Sequence, residues 1–142
     1  MKKILITLIS ILIIVGISVF MIFIFLNKDI KNTSWQLTGW SSTEISPDIA
    51  TITINFSNDE ISGIGGVNSY SGNYKTGLGK KVFLGDISST EMASTDDNIN
   101  AAETLYFSLL QKVEYYKIEN DILMLLDKNK NTLLIFSEIV DV

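Results

Sequence analysis

The chain has 142 residues, a mean hydropathy of +0.30 and a net charge of −5, and it contains no histidine, cysteine or arginine. These absences argue against zinc sites, nucleophilic cysteines and histidine-based acid–base catalysis, and the acidic balance disfavours nucleic acid as a partner. A serine nucleophile would need a lysine base, and no S-x-x-K motif occurs. We therefore expect a protein that is not an enzyme, with no catalytic residue, no cofactor-binding residue and no metal site.

The first predicted element is an apolar run from Ile4 to Leu26 that contains no charged residue. About 20 apolar residues cross the hydrocarbon core of a bilayer, so the run predicts a transmembrane helix whose partner is the lipid bilayer. The alternative is a cleaved signal peptide, which has an apolar stretch of about 7–15 residues followed by a small-residue cleavage site. The length of this run, and the absence of such a site after it, favour a retained anchor.

The flanks of this run predict the orientation of the chain. Lys2 and Lys3 precede the run, and lysines accumulate on the cytoplasmic side of membrane segments. We expect a single-pass membrane protein with a cytoplasmic stub at 1–3, a juxtamembrane linker at 27–31, a domain at 32–137 outside the cytoplasmic membrane, and a tail at 138–142. The part after the run keeps nine of the 11 lysines and all 16 acidic residues, a net charge of −7.

Alternating apolar and polar residues separated by turn-forming residues predict a β-rich domain. The predicted strands lie at 35–38, 51–56, 61–68, 70–74, 82–90, 115–118, 122–126 and 133–136. The segment 75–81 is predicted to be a loop.

One helix is predicted after about five strands. Apolar residues fall at helical spacing at Ile99, Ala102, Leu105, Tyr106, Leu109 and Val113, and N-cap candidates precede them at Thr95, Asp96 and Asp97. The expected fold is α+β and β-rich. It is an antiparallel sheet or partly open barrel of about eight strands with one inserted helix, preceded by one transmembrane helix.

The outward domain carries two sequence motifs that, together, resemble a known family. The motifs are Gly65-Gly66-Val67-Asn68-Ser69-Tyr70-Ser71-Gly72-Asn73-Tyr74 and Ser89-Thr90-Glu91-Met92-Ala93-Ser94, with Trp35-Gln36-Leu37 before them and Ala102-Glu103, Phe107 and Leu110 after them. This pattern resembles the META domain family, the HslJ-like envelope proteins. The resemblance implies a non-catalytic domain with a role in envelope maintenance or stress response.

The residues of these motifs allow a folding role or a recognition role. The family-motif positions are Trp35, Gly65, Gly66, Asn68, Tyr70, Gly72, Tyr74, Thr90 and Met92. Glycine and aromatic patterns in β-domains mostly serve packing, so we expect folding roles. The alternative is a recognition surface built from Asn68, Tyr70, Tyr74, Thr90 and Met92.

Two positions depart from the family pattern. Many members carry cysteine where this chain has Val67 and Ser94. The resemblance implies that these two cysteines form a structural pair, which this chain lacks.

Two further interpretations concern function. A partner-binding or inhibitor module for another envelope protein, using an exposed strand edge or loop, is an alternative to the envelope role, and an envelope hydrolase is the least favoured. Residues Asp127, Asn129, Asn131 and Glu138 follow the spacing of a calcium loop, but Thr132 occupies the position that needs glycine. We therefore expect a hairpin turn there.

Overall fold

The computed structural model describes residues 2–26, 28–42 and 44–140, and within the first helix it describes the side chains of residues 6, 7 and 9–20. Residues 1, 27, 141 and 142 of the predicted stub, linker and tail lie outside the described residues. An N-terminal helix precedes eight strands, with a second helix between the fifth and sixth strands. The elements are α1 (Lys2–Leu26), β1 (Thr33–Trp40), β2 (Thr53–Ser57), β3 (Glu60–Ile64), β4 (Ser69–Gly77), β5 (Lys81–Ser89), α2 (Asp97–Leu110), β6 (Tyr115–Glu119), β7 (Ile122–Leu126) and β8 (Thr132–Glu138).

The eight strands form a closed antiparallel barrel. Each strand pairs with the next in sequence, and β8 returns to pair with β1. Because successive strands run in opposite directions, alternate connections lie at the same end of the barrel. The N-terminal pole comprises the start of β1, the turns 58–59, 78–80 and 120–121, and the end of β8. The distal pole carries the remaining connections, including the β7–β8 turn at 127–131.

The barrel is weakest between β5 and β6. This seam has one paired position, Lys81 with Tyr115. Two flanking hydrogen bonds support it, from Val82 N–H to the Glu114 carbonyl (2.9 Å) and from Tyr116 N–H to the Lys80 carbonyl (3.0 Å). Beyond them, the strands described here leave the edge of β5 towards Ser89 without a partner strand. The chain leaves the sheet here to form α2, so the inserted helix accounts for the incomplete seam.

The core fills the barrel interior and the face of α2. The alternating strand residues point inward, and their burial excludes apolar surface from water. The largest fully buried side chains are Trp35, Tyr106, Phe56, Phe136, Ile30, Ile52, Ile54, Ile61, Leu110, Leu123, Leu125 and Leu134.

The domain begins earlier than the sequence predicts. Ile30 is fully buried in the core, although 27–31 is predicted as a linker and the domain as starting at Asn32. Tyr116 donates a hydrogen bond to the Asp29 carboxylate (2.8 Å), which fixes the residue before Ile30 to β6. Residues 28–31 are therefore part of the barrel, because an apolar side chain four residues after the run packs inside it.

Lys28 also belongs to the barrel. Its ammonium contacts the carboxylates of Glu138 (2.5 Å) and Asp121 (3.2 Å), and its carbonyl accepts a hydrogen bond from the Lys80 ammonium (2.9 Å). The two carboxylates raise the pKa of Lys28 against the opposing effect of its partial burial. The first residue after Asn27 is thus bonded to β8, to the β6–β7 turn and to the β4–β5 turn.

Several element boundaries also differ from those predicted. The predicted loop 75–81 is mostly strand, because Lys75, Thr76 and Gly77 pair with Phe83, Val82 and Lys81. Polar residues fit there because the outer face of a barrel strand meets solvent. Val113 is buried but lies beyond α2, which ends at Leu110.

The apolar N-terminal segment is helical over Lys2–Leu26. Within the described residues, no helix combines the length and the hydropathy needed to cross a membrane.

We predict that Ile30→Ala lowers the free energy of unfolding of the barrel by about 2–5 kcal/mol, because it leaves a cavity in a packed core. The neighbouring Lys31→Ala is the control, since Lys31 is exposed, and it should change stability by no more than about 0.5 kcal/mol. Denaturant unfolding of the full chain in detergent, followed by tryptophan fluorescence, measures both. Equal stabilities of the two variants would contradict the placement of residues 28–31 in the domain.

Candidate functional site

The family-motif residues meet where the start of β4, the loop after β5 and α2 converge. Asn68 lies at the centre of this region and is 5% exposed. Its amide nitrogen donates to the Met92 carbonyl (3.0 Å) and to Glu103 Oε1 (2.6 Å). Its amide oxygen accepts from the Thr90 hydroxyl (2.7 Å) and the Met92 N–H (2.8 Å). Both amide hydrogens and both oxygen lone pairs of this side chain are therefore engaged in joining segments of the fold.

Glu103 completes this arrangement from α2. Its Oε2 accepts hydrogen bonds from the backbone N–H groups of Val67 (2.9 Å) and Asn68 (2.7 Å). Together with the bond to the Asn68 amide, the carboxylate accepts three hydrogen bonds from the β3–β4 loop. We call Asn68, Thr90, Met92 and Glu103 the Asn68–Glu103 network. Hydrogen bonds to an ionised carboxylate are stronger than neutral ones, so the network fixes the helix to the barrel.

The two central glycines allow this close approach. A Cβ on Gly65 would lie 2.7 Å from Cζ of Phe107 on α2, closer than real side chains come. Gly66 has φ = +132°, a backbone conformation that L side chains rarely adopt. The Gly-Gly pair is therefore required by the packing of α2 against the loop.

Tyr70 forms a second buried connection to α2. Its hydroxyl donates to the Thr53 carbonyl (2.9 Å) and lies 2.5 Å from the hydroxyl of Tyr106. The Tyr70 ring also meets the Phe107 ring edge-on, with centroids 5.3 Å apart. Burial raises the pKa of both tyrosines above the ordinary value, so both phenols are neutral at physiological pH and neither is suited to act as a general base.

Tyr74 and Trp35 occupy the barrel interior. The Tyr74 ring packs edge-on against Phe56 with centroids 5.1 Å apart, and among the described residues no group bonds to its buried hydroxyl. Trp35 is fully buried, and its indole N–H donates to the Thr33 hydroxyl (2.7 Å). Both residues have packing roles.

The five residues of the predicted recognition surface differ in their exposure to solvent. Asn68, Tyr70 and Tyr74 are buried, whereas Thr90 and Met92 are exposed. Three buried side chains cannot contact an external partner in this state, so their arrangement supports the folding interpretation.

Sequence reasoning assigned no role to Glu103, the central residue of the network. The helical spacing could have indicated a role for Glu103. It lies one residue after Ala102 and three before Tyr106, and both of these residues are on the buried face of α2. An acid beside that face needs hydrogen-bond donors, and the glycine-rich loop supplies them.

The segment 127–131, which begins the calcium-loop spacing, forms the hairpin turn between β7 and β8. The Asp127 carboxylate accepts from the N–H groups of Asn129 (2.8 Å) and Asn131 (2.9 Å) and from the Asn131 amide (3.0 Å). These hydrogen bonds lower the pKa of Asp127. Glu138 instead pairs with Lys28, and the described residues contain no cluster of acidic side chains arranged to hold a metal ion.

Two clefts lie on the barrel surface. A cleft of about 620 Å³ at the N-terminal pole is lined by Lys28, Lys80, Lys117, Ile118, Glu119, Asn120 and Asp121. A smaller one of about 340 Å³ follows the unpaired edge of β5 and is lined by Leu84, Gly85, Asp86, Ile87, Gln111 and Val113.

A closed antiparallel eight-stranded barrel, with a helix inserted after the fifth strand and bonded to a Gly-Gly-x-Asn loop, defines a class of small β-barrel domain. The family model of the META domain matches residues 28–139, and the chain belongs to this family.

Solved structures show the same fold. The NMR structure of a protein from Burkholderia xenovorans is 25% identical, with a TM-score of 0.65 over 79% of this chain and 85% of that one. A second NMR structure is 19% identical, with a TM-score of 0.57 over 75% of this chain and 88% of the other. No curated protein matches the chain.

We predict that Glu103→Gln lowers the free energy of unfolding by about 1–3 kcal/mol, because an amide cannot accept from both sides as the carboxylate does and one buried donor loses its partner. Glu91→Gln removes the same charge at an exposed position of the loop that holds Met92 and is the control. Thermal unfolding of both variants measures the effect. If Glu103→Gln matched Glu91→Gln, the network would not be what holds α2 in place.

A further prediction concerns the two replaced cysteine positions. Val67 donates its N–H to Glu103, and Ser94 exchanges two hydrogen bonds of 2.9 Å with Asn100, one turn earlier on α2. We therefore expect their Cα atoms to lie about 4.4–6.8 Å apart, the range that a disulfide allows. Val67→Cys with Ser94→Cys should oxidise spontaneously and stabilise the fold by about 3 kcal/mol.

Comparison of the oxidised and reduced forms of the double variant measures this stabilisation, and each single variant is a control. Failure of the pair to oxidise would show that the two cysteines of relatives do not form a mutual bridge.

Proposed function

We propose that this protein is a membrane-anchored META domain that lies outside the cytoplasmic membrane and acts without catalysis in envelope maintenance or stress response. The observation that carries the proposal is the exposure of α1. Its described apolar side chains point in all directions around the helix and remain half or more exposed, at Ile6, Ile9, Ile11, Leu12, Ile13, Ile14, Val15, Ile17, Val19 and Phe20. A helix that is apolar on every side needs an apolar environment, and a lipid bilayer provides one.

The polar groups of α1 fit the same environment. The Ser10 hydroxyl donates to the Thr7 carbonyl and the Ser18 hydroxyl to the Ile14 carbonyl, both at 2.9 Å. Such bonds satisfy a hydroxyl within its own helix, as the hydrocarbon core of a membrane requires. They support the proposal that the segment 4–26 crosses the membrane.

The non-catalytic role is supported by the state of the polar residues. The Asn68 and Glu103 side chains are engaged in the network, and the Tyr70 and Tyr106 phenols are buried and neutral. Met92, the exposed large side chain beside the network, carries no ionisable group.

A second candidate function is a partner-binding module, and the unpaired edge of β5 favours it. An extended peptide can add to such an edge as a further strand. The cleft beside it offers Leu84 and Ile87 as apolar contacts and Asp86 as a charged one. Asp86 and Gly85 also interrupt a uniform apolar strand, a feature that protects edges from aggregation. Loss of partner capture after Leu84→Asp, in a variant that keeps its fold, would favour this function.

We predict that the full chain stays in the membrane fraction after alkaline carbonate extraction and that external protease reaches its C-terminal domain. Ile13→Lys with Ile17→Lys should release the chain, since each central lysine opposes insertion by about 2.5–3.5 kcal/mol. Ile13→Ala with Ile17→Ala is the control and should leave it membrane-bound.

N-terminal sequencing of the extracted protein tests retention of the anchor. A mature chain that starts near Asn27, or wild-type protein released by carbonate, would contradict the proposal.

A further inference from the structure

The connection between α1 and the barrel is very short, which constrains where the barrel sits. One residue, Asn27, separates Leu26 from Lys28, so these two residues lie at most about 7 Å apart along the chain. Lys28 and Ile30 are fixed in the barrel. If α1 crosses the membrane, as the proposed function states, the N-terminal pole therefore lies at the membrane surface. The following inference rests on that function.

The same pole carries the most exposed large apolar side chain of the described barrel. Leu78 is 98% exposed and lies in the turn between β4 and β5, within Gly77-Leu78-Gly79-Lys80-Lys81. The position of this tip is fixed relative to the entry of the chain, because the Lys80 ammonium donates to the Lys28 carbonyl at 2.9 Å. Leu78 buries almost none of its surface in the fold, so its apolar side chain does not stabilise the barrel.

The charges around the tip suit a membrane surface. Among the described residues, the ammonium groups of Lys80 and Lys81 have no carboxylate partner and instead lie 5.2 Å and 5.6 Å from the rings of Tyr116 and Tyr115. Lys80 also lines the cleft at this pole, where the other two lysines, Lys28 and Lys117, are each paired with acids. The tip therefore presents two unpaired cations beside one exposed leucine within an acidic domain.

We propose that the β4–β5 tip inserts into the surface of the membrane that carries the anchor. Leu78 enters the boundary between headgroups and acyl chains, and Lys80 and Lys81 contact the phosphates of anionic phospholipids. The neighbouring β2–β3 hairpin carries Asp59 in its turn and Glu60 at the start of β3, and an anionic surface repels both. Contact is therefore confined to the tip, and the barrel has two attachments to one membrane.

The absence of native cysteine allows a direct test. A nitroxide is attached to Leu78→Cys in the full chain, which is reconstituted into vesicles of phosphatidylcholine with phosphatidylglycerol. Asn129→Cys is the matched control, since Asn129 is exposed in the β7–β8 turn at the distal pole. The measured quantity is the ratio of nitroxide collisions with oxygen, which enters lipid, to collisions with a water-soluble nickel chelate.

The ratio should be higher at position 78 than at position 129, and it should fall at position 78 in vesicles of phosphatidylcholine alone. Equal ratios at both positions would overturn the insertion of Leu78. An unchanged ratio at position 78 in neutral vesicles would overturn the role of the lysines.

Flotation of the same samples separates this inference from the proposed function. Chains that float with the vesicles while position 78 stays in water refute the tip contact and leave the anchor intact. Chains that do not float refute both. A variant with Lys80→Gln and Lys81→Gln should reduce the ratio at position 78, whereas Lys112→Gln with Lys128→Gln, which removes two exposed lysines outside the tip, should not.

Discussion

A carboxylate on α2 links the helix to the barrel through hydrogen bonds. Glu103 accepts three hydrogen bonds from the β3–β4 loop and thereby fixes α2 to the barrel. The helix and the loop approach each other closely. A Cβ added to Gly65 would lie 2.7 Å from Cζ of Phe107 on α2 and would clash. The buried Tyr70–Tyr106 pair and the turn of Gly66 follow from the same docking. The residues of the family motif thus hold α2 against the β3–β4 loop.

The inserted helix also explains why the barrel closes incompletely. The strands β5 and β6 share one paired position, whereas most neighbouring strands are paired along several residues. The chain leaves the sheet between them to form α2, which packs against β8 and the segment 47–49 and does not complete the β5–β6 ladder. The price is an open edge along β5, and the cleft beside it lies there for that reason.

The sequence predicted those features that depend on local pattern. The strands, the hairpins and α2 follow from alternation and turn residues, and Asp96 caps the helix by accepting from the Asn98 N–H (2.9 Å). The resemblance to META domains is confirmed. Features that depend on distant parts of the chain were not predicted. Ile30 is an isolated apolar residue between polar ones, and only the closed barrel shows that it is buried.

The role of Glu103 in holding α2 was not predicted for the same reason. Its donors lie about 35 residues earlier in a loop that carries no charge, so no local pattern links them. The length of the β4–β5 hairpin was underestimated because Lys75 and Thr76 are polar, and polar residues on the outer face of a barrel do not mark its strands. The envelope role and the membrane anchor stay predictions.

The attachment of the N-terminal residues to the barrel has a mechanical consequence. Any tension that reaches the domain through α1 enters at Lys28 and runs along β1, which is hydrogen-bonded on one side to β2 and on the other to β8. Force along a strand loads both ladders in shear, so their hydrogen bonds share the strain and must fail together. Force across the β5–β6 seam would instead open it bond by bond. The chain thus enters the domain at a strand that is paired on both sides, away from the weak β5–β6 seam.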